Sequence, residues 1–189
     1  MIGTIRRKPK IYKLNPRIRV MNNNQFLHYF LGFVDGEGCF NISLKKQDSA
    51  KMRWVLDPVF HVTQHKNHVR LLYNFQRMLG CGTVIRKYGQ PDTMQFIVQS
   101  RKELVDKVIP FFRKHKLLVK RKNFEIFAEV VEGLDQHQHG NVQDFRKLVR
   151  RVFVMNNKGK YRKYTLKEVL DSLGSSETIR QTRAKLQKS

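Results

Sequence analysis

Asp35 and Glu37 stand two residues apart in the stretch FLGFVDGEG, residues 30–38, among three glycines, Gly32, Gly36 and Gly38. Carboxylates suit a hard cation such as Mg2+, and a cation held against a phosphodiester activates water and stabilises the leaving oxygen. The glycines need a reason of their own, because each one inside a helix costs about 0.5–1 kcal/mol against alanine. Gly32 and Gly36 lie four apart, on one helix face. Small residues at that spacing let two backbones approach closely, and the natural partner is a second copy of the same helix. A crossing at Gly36, with Phe33 beside it, would bring two Glu37 carboxylates together. Such neighbours repel unless a cation sits between them. The plainer reading of the same residues is a helix closed by glycines, with solvated acids.

The elements that must position these groups follow from the apolar periodicity. Residues 25–36 are helical in pattern, and from Cys39 the period switches to two, with Phe40, Ile42 and Leu44 alternating against Asn41, Ser43 and Lys45. The polar segment QDSAKMR leads to a second strand, WVLDPVFHVTQ, in which Pro58 suggests an edge or a bulge. Residues 66–79 read as a helix stopped by Gly80, and CGTVIRKY and TMQFIVQS as strands around the turn signal GQPD. Ser100-x-x-Glu103 is a capping box that opens a helix kinked or ended by Pro110. A helix with Phe124 and Phe127 in the core ends at Gly133, another starts at Asn141, and Thr165-x-x-Glu168 caps a last short one. Helix–hairpin–helix–hairpin followed by helices is an α+β domain on an antiparallel sheet, expected over residues 23–189 behind a basic N-terminal arm, 1–22.

Charge points to the partner. The chain has 38 Lys and Arg against 15 Asp and Glu, a formal +23, which calls for a polyanion, with double-stranded DNA the leading candidate. Forty per cent hydrophobic content and thirteen phenylalanines exclude a fully disordered chain. No long apolar run suits a membrane partner. Two isolated cysteines and the lack of a signal-peptide pattern point to a reducing compartment rather than secretion.

The odd-numbered strand residues form one candidate surface. Asn41, Ser43, Lys45, His61, Thr63, Thr83, Lys87 and Gln95 share it, and such amide, hydroxyl and basic groups read base edges in a major groove. Any half-solvated sheet carries polar residues outward; the surrounding charge favours the DNA reading. His61-x-x-x-His65 lacks the Glu of a zinc-protease helix and is not read as a metal site.

FLGFVDGEG, the following strand CFNISLKK and the later FHVTQH together resemble the motif region of the LAGLIDADG homing endonucleases. The likeness runs from about Gln25 to the helix near Glu132, with Phe30-Leu31 where the family favours Leu-Ala. It implies an αββαββα domain with a saddle-shaped antiparallel sheet and additional C-terminal helices. It also implies that Glu37, with the Gly36 carbonyl, binds Mg2+, and that Gln64 orders active-site water. A basic residue, best matched by Lys120 with Lys116 and Lys122 as competitors, would act at the scissile phosphate. One motif per chain implies a homodimer cutting both strands of a long pseudo-palindromic site. The setting it implies is an intron-encoded protein of an organelle or a bacterial cytoplasm. The alternatives are an intron RNA maturase or a DNA-binding regulator on the same scaffold. A basic structural RNA-binding protein would account for the charge but not for the glycine–acid motif.

Overall fold

The computed structural model describes residues 22–158 and 162–173; apart from Asn22, the basic arm lies outside these residues. Helix α1 (Asn23–Glu37) starts earlier than its apolar pattern, because Asn22 and Gln25 form a reciprocal capping box with both bonds at 2.9 Å. Phe30 and Val34, four apart, are the buried stripe of this helix. The chain then turns straight into β1 (Gly38–Lys46). A Cβ on Gly38 would lie 2.7 Å from both the Val34 carbonyl oxygen and Val34 Cγ1, so the sharp helix-to-strand turn requires glycine here.

β1 pairs with β2 (Trp54–His65), and β3 (Thr83–Arg86) with β4 (Thr93–Val98), in an antiparallel sheet of order β1-β2-β4-β3. Pro58 sits opposite Ile42 within β2, in the stretch before Phe60 where β4 has no partner for it. Antiparallel pairs alternate between hydrogen-bonded and open. The Gln47 amide bonds the Arg53 carbonyl, so counting back five residues makes Ile42–Pro58 an open pair. The missing proline N–H therefore points to the locally free edge, as the sequence suggested.

The even-numbered strand residues Phe40, Ile42, Leu56, Phe60, Val62, Phe96 and Val98 are buried under the helices. Phe40 stacks on Phe60 at 4.9 Å, and Phe112 packs edge-on to both at 5.4 Å. Phe30 meets Phe75 of α2 (Val69–Leu79) at 4.5 Å. Each such pair adds about 0.5–1.5 kcal/mol beyond burial, so the phenylalanine cluster sets where α1 lies on the sheet. Phe30 and the partly buried Leu31 pack into the core of this chain. The departure from Leu-Ala is thus absorbed within the chain.

Several local expectations are corrected. The stretch expected as helix from residue 66 opens as a 3-10 turn, Lys66–His68. Ser100 caps α3 (Arg101–Glu103) by accepting from the Glu103 amide, but the Glu103 carboxylate accepts from the Gly82 amide instead (3.2 Å), so the box is half a box. Pro110 neither ends nor breaks the helical run. The π-helical turn Leu104–Val108, with the Ile109 amide bonded to the Leu104 carbonyl, passes into α4 (Ile109–Lys114) with Pro110 in its first turn. Gly133 lies within α5 (Arg121–Asp135) rather than ending it. A Cβ there would come within 2.8 Å of Leu148 and 2.7 Å of Gln138, so this glycine lets α6 (Val142–Lys158) cross closely. Asn141 does cap α6, and Thr165 and Glu168 form the expected box at the start of α7 (166–173).

The C-terminal segment is tied to β1 and β2. Arg162 donates to the carbonyls of Ile42 (3.0 Å) and Val152 (3.1 Å), and Trp54 donates to Ser172 Oγ (2.8 Å). An edge carbonyl is thus given a partner that a second strand would otherwise supply. Gly133→Val should cost about 1–3 kcal/mol by overpacking the α5–α6 crossing, measured as a lowered urea midpoint with an unchanged slope.

Candidate active site

The C-terminal end of α1 leaves carbonyl groups without intrahelical partners and carries the negative end of the helix dipole. The loop between α4 and α5 supplies what it lacks. Lys120 Nζ donates to the carbonyl oxygens of Asp35 (2.7 Å), Gly36 (2.7 Å) and Val34 (3.2 Å). In return, Asp35 accepts the amides of Leu118 (2.8 Å), Lys120 (3.0 Å) and Val119 (3.2 Å). Leu117 is buried and anchors the loop, while Leu118 and Val119 point outward. Six bonds thus clasp α1 to residues 118–120. Asp35 is committed to this clasp, and Glu37, one residue past the carbonyl that Lys120 holds, is exposed. Of the three candidate lysines, Lys120 is the one this clasp places there; Lys116 and Lys122 are exposed.

The expected platform is a single face. The register aligns Cys39, His61, Ile97 and Thr83 across all four strands, and Thr63, Gln95 and Ile85 across three. Asn41, Ser43 and Lys45 continue it along β1, opposite Val59, Asp57 and Val55. Asn41 Nδ2 donates to Ser43 Oγ (3.1 Å), and Lys45 pairs with Asp57, which neutralises the acid on this part of the face. Lys87 lies just past β3 and is half-buried, its amide bonded to the Thr93 carbonyl. Burial, with the Lys87 ammonium nearby, holds the His61 imidazolium below its usual range, so His61 is a neutral donor and acceptor at pH 7. Burial outweighs the Lys120 and Lys87 fields at Cys39 and raises its thiol. Burial also pushes Cys81 up to about 11; both thiols are free.

Gln64 continues β2 two residues beyond the Gly38–Val62 pair, beside the end of α1. By strand alternation it shares the parity of Phe60 and Val62 rather than of the platform, and its Oε1 accepts from the His65 amide (2.7 Å). Gly32 and Gly36 are both exposed, and a Cβ at either would meet nothing within 4 Å. Phe33 is partly buried against Phe75 (5.3 Å), which leaves only its outer side for a partner.

The donor set fits a hard divalent ion in kind: an exposed carboxylate and an adjacent carbonyl, both oxygen. No group of three or more His, Cys, Asp or Glu that could hold a metal occurs among the described residues. With Asp35 committed to the amides of residues 118–120, Glu37 is the carboxylate left exposed at this place. The clasp was legible only in part. The motif marks Asp35 and Glu37, but nothing in LLVK announces that its amides meet Asp35 more than eighty residues away.

Asp35→Ala should cost about 1.5–3 kcal/mol, the range for hydrogen bonds to a charged group. Amide exchange at Leu118, Val119 and Lys120 should speed up most, while core amides around Phe40 and Phe60, which open only with the whole fold, should speed up by no more than the global loss. The acid side of stability follows from His61, His115 and His139, all lowered mainly by burial. Below their ordinary value of 6.5 the unfolded chain takes up protons that the folded chain resists. Stability therefore falls as pH drops from 6.5 towards the lowered folded values, and these groups contribute no pH dependence above it. The urea midpoint should fall from about pH 7.5 to about pH 5.5, and His61→Asn should reduce that fall.

A family model described as LAGLIDADG endonuclease matches residues 30–131, which span both hairpins and the clasp. Homing endonuclease I-ApeII of Aeropyrum pernix is 32% identical over 155 residues, covering 80% of this chain and 92% of that protein. DNA endonuclease I-CeuI of Chlamydomonas moewusii is 33% identical over 128 residues, but the match spans only 57% of its length. Among solved structures, the archaeal intron-encoded homing endonuclease I-Vdi141I complexed with DNA aligns with a TM-score of 0.77 at 32% identity, covering 83% of this chain and 99% of that one. I-CeuI complexed with DNA aligns with a TM-score of 0.74 at 26% identity, over 82% and 78%. With the motif, the four-stranded sheet and the α1 clasp all in the matched region, the chain belongs to the LAGLIDADG endonuclease family.

Proposed function

We propose that two copies of this chain form a Mg2+-dependent, sequence-specific DNA endonuclease that makes double-strand breaks at a long pseudo-palindromic site. The observation that carries this reading is a convergence at the end of α1. The Lys120 ammonium donates to the Gly36 carbonyl, the exposed Glu37 follows that carbonyl directly, and β1, whose alternate residues form the polar sheet face, begins at Gly38.

The sheet face seats the duplex. Asn41, Ser43, His61, Thr63, Thr83 and Gln95 offer amide, hydroxyl and imidazole groups to base edges, while Lys45, Lys87 and the basic N-terminal arm supply phosphate contacts. Glu37 and the Gly36 carbonyl hold the ion. When bound, Mg2+ supplies a Lewis acid for the leaving oxygen and a more acidic water. Lys120 brings positive charge to the scissile phosphate, where charge builds in the transition state. Gln64 orders water at the same end of α1.

Each chain carries one such carboxylate, and a duplex has two strands. A two-fold axis beside α1 supplies the second site. The open space outside Gly32 and Gly36 supports that packing. By likeness to intron-encoded relatives, the role is mobility of the intron that carries the gene, in an organelle or a bacterial cytoplasm.

Glu37→Gln should lower cleavage of the target duplex by about a thousandfold or more while leaving binding in calcium within about threefold. Light scattering of the complex should give two chains per duplex. Persistent cutting by the variant would remove Glu37 from the chemistry, and one chain per duplex would remove the dimer.

A further inference from the structure

An ammonium group has three N–H donors, and Lys120 spends all three on the carbonyls of Val34, Asp35 and Gly36. In this arrangement it has no donor left for a phosphate. One of its acceptors, the Gly36 carbonyl, is also the oxygen assigned above to the metal seat. The clasp does not depend on the ammonium alone, because Asp35 holds the loop through the amides of residues 118–120. Lys120 can therefore let go while its backbone stays in place.

We propose that Lys120 is a placeholder cation: its ammonium occupies the carbonyl seat at the end of α1, and a divalent ion bound there displaces it towards the scissile phosphate. This rests on the metal reading of Glu37 and Gly36 given above. An ammonium 2.7 Å from the Gly36 oxygen and an ion at the usual Mg–O distance of about 2.1 Å from it lie within about 5 Å of each other. Positive charges that close repel strongly in a partly desolvated site. The carbonyl end of a helix favours either cation but not both at full occupancy. Ion binding then does two things with one exchange. It fills the seat, and it frees three N–H donors one side-chain length from where the phosphate lies. Before the ion arrives, the same ammonium keeps the helix end neutralised.

The test uses the full-length protein. With lysine labelled by 15N, a side chain held by three acceptors gives a protected Nζ–H signal, identified by its loss in Lys120→Arg. Titration with MgCl2 should erase that signal in the wild type and leave it in Glu37→Gln. Mn2+ binding followed by electron paramagnetic resonance should be about tenfold tighter in Lys120→Met. Lys122→Met, which removes the same charge from an exposed position, should change it by less than about threefold. The proposal is overturned if the signal survives saturating Mg2+, if the two methionine variants alter Mn2+ affinity alike, if Lys120→Met weakens binding, or if no variant binds Mn2+. A wild type that cleaves DNA while the Lys120 signal survives Mg2+ removes only the placeholder. A Glu37→Gln chain that still cleaves removes the metal reading as well.

Discussion

The end of α1 and the turn before α5 are joined by charges of the sign each helix end requires. Asp35 puts a carboxylate at the N–H groups of Leu118, Val119 and Lys120, just ahead of Arg121, where α5 begins. Lys120 returns a cation to the carbonyl end of α1. Each side chain satisfies backbone groups that water would otherwise have to reach. The contact spans more than eighty residues of sequence, so the helix bearing Glu37 and the helix leading into the second half of the core hold one another. Without it, the carbonyls at the end of α1 would lose their cation and Lys120 would be a loop lysine like its neighbours.

The sheet is the second support, and its two faces divide the work. Phe40, Phe60 and Phe96 face the helices and form the core. The alternating residues Asn41, His61, Thr63, Gln95 and Thr83 are left on the opposite side. Because β1 follows α1 without a linker, the polar face begins where the motif ends. Gly38 makes that junction possible by leaving room for the Val34 carbonyl. The C-terminal segment then docks on the sheet, with Arg162 on the Ile42 carbonyl of β1 and Ser172 on the Trp54 indole of β2.

Some residues changed meaning between sequence and structure. Glu103 sits at the right spacing to complete a capping box, yet it turns to Gly82, whose amide lies at a tight turn after α2. Gly133 looks like a helix stop, yet it is a contact surface for Leu148. Pro110 should interrupt a helix, yet a π-helical turn just before it carries the chain through. For Glu103 and Gly133 a neighbour distant in sequence overrode the local rule, whereas Pro110 was accommodated locally, in the first turn of α4. Pro58 went the other way. Its missing N–H was a purely local signal of a free strand edge, and that signal held.

Periodicity, turn residues and the glycine–acid motif determined the helices, the hairpins, the two-faced sheet and the place of Glu37, because each depends on neighbours a few residues apart. The net charge likewise belongs to the chain whatever its fold. Which of three lysines reaches the end of α1, and that Asp35 is spent on amides rather than left free, was decided only by tertiary structure. So was the downward shift of the His61 pKa, which comes from burial and the ammonium of Lys87. Hydrogen bonds between residues 34–36 and 118–120 have no periodic trace, and a side chain's charge state depends on what packs around it. Those facts exist only once the chain has closed on itself.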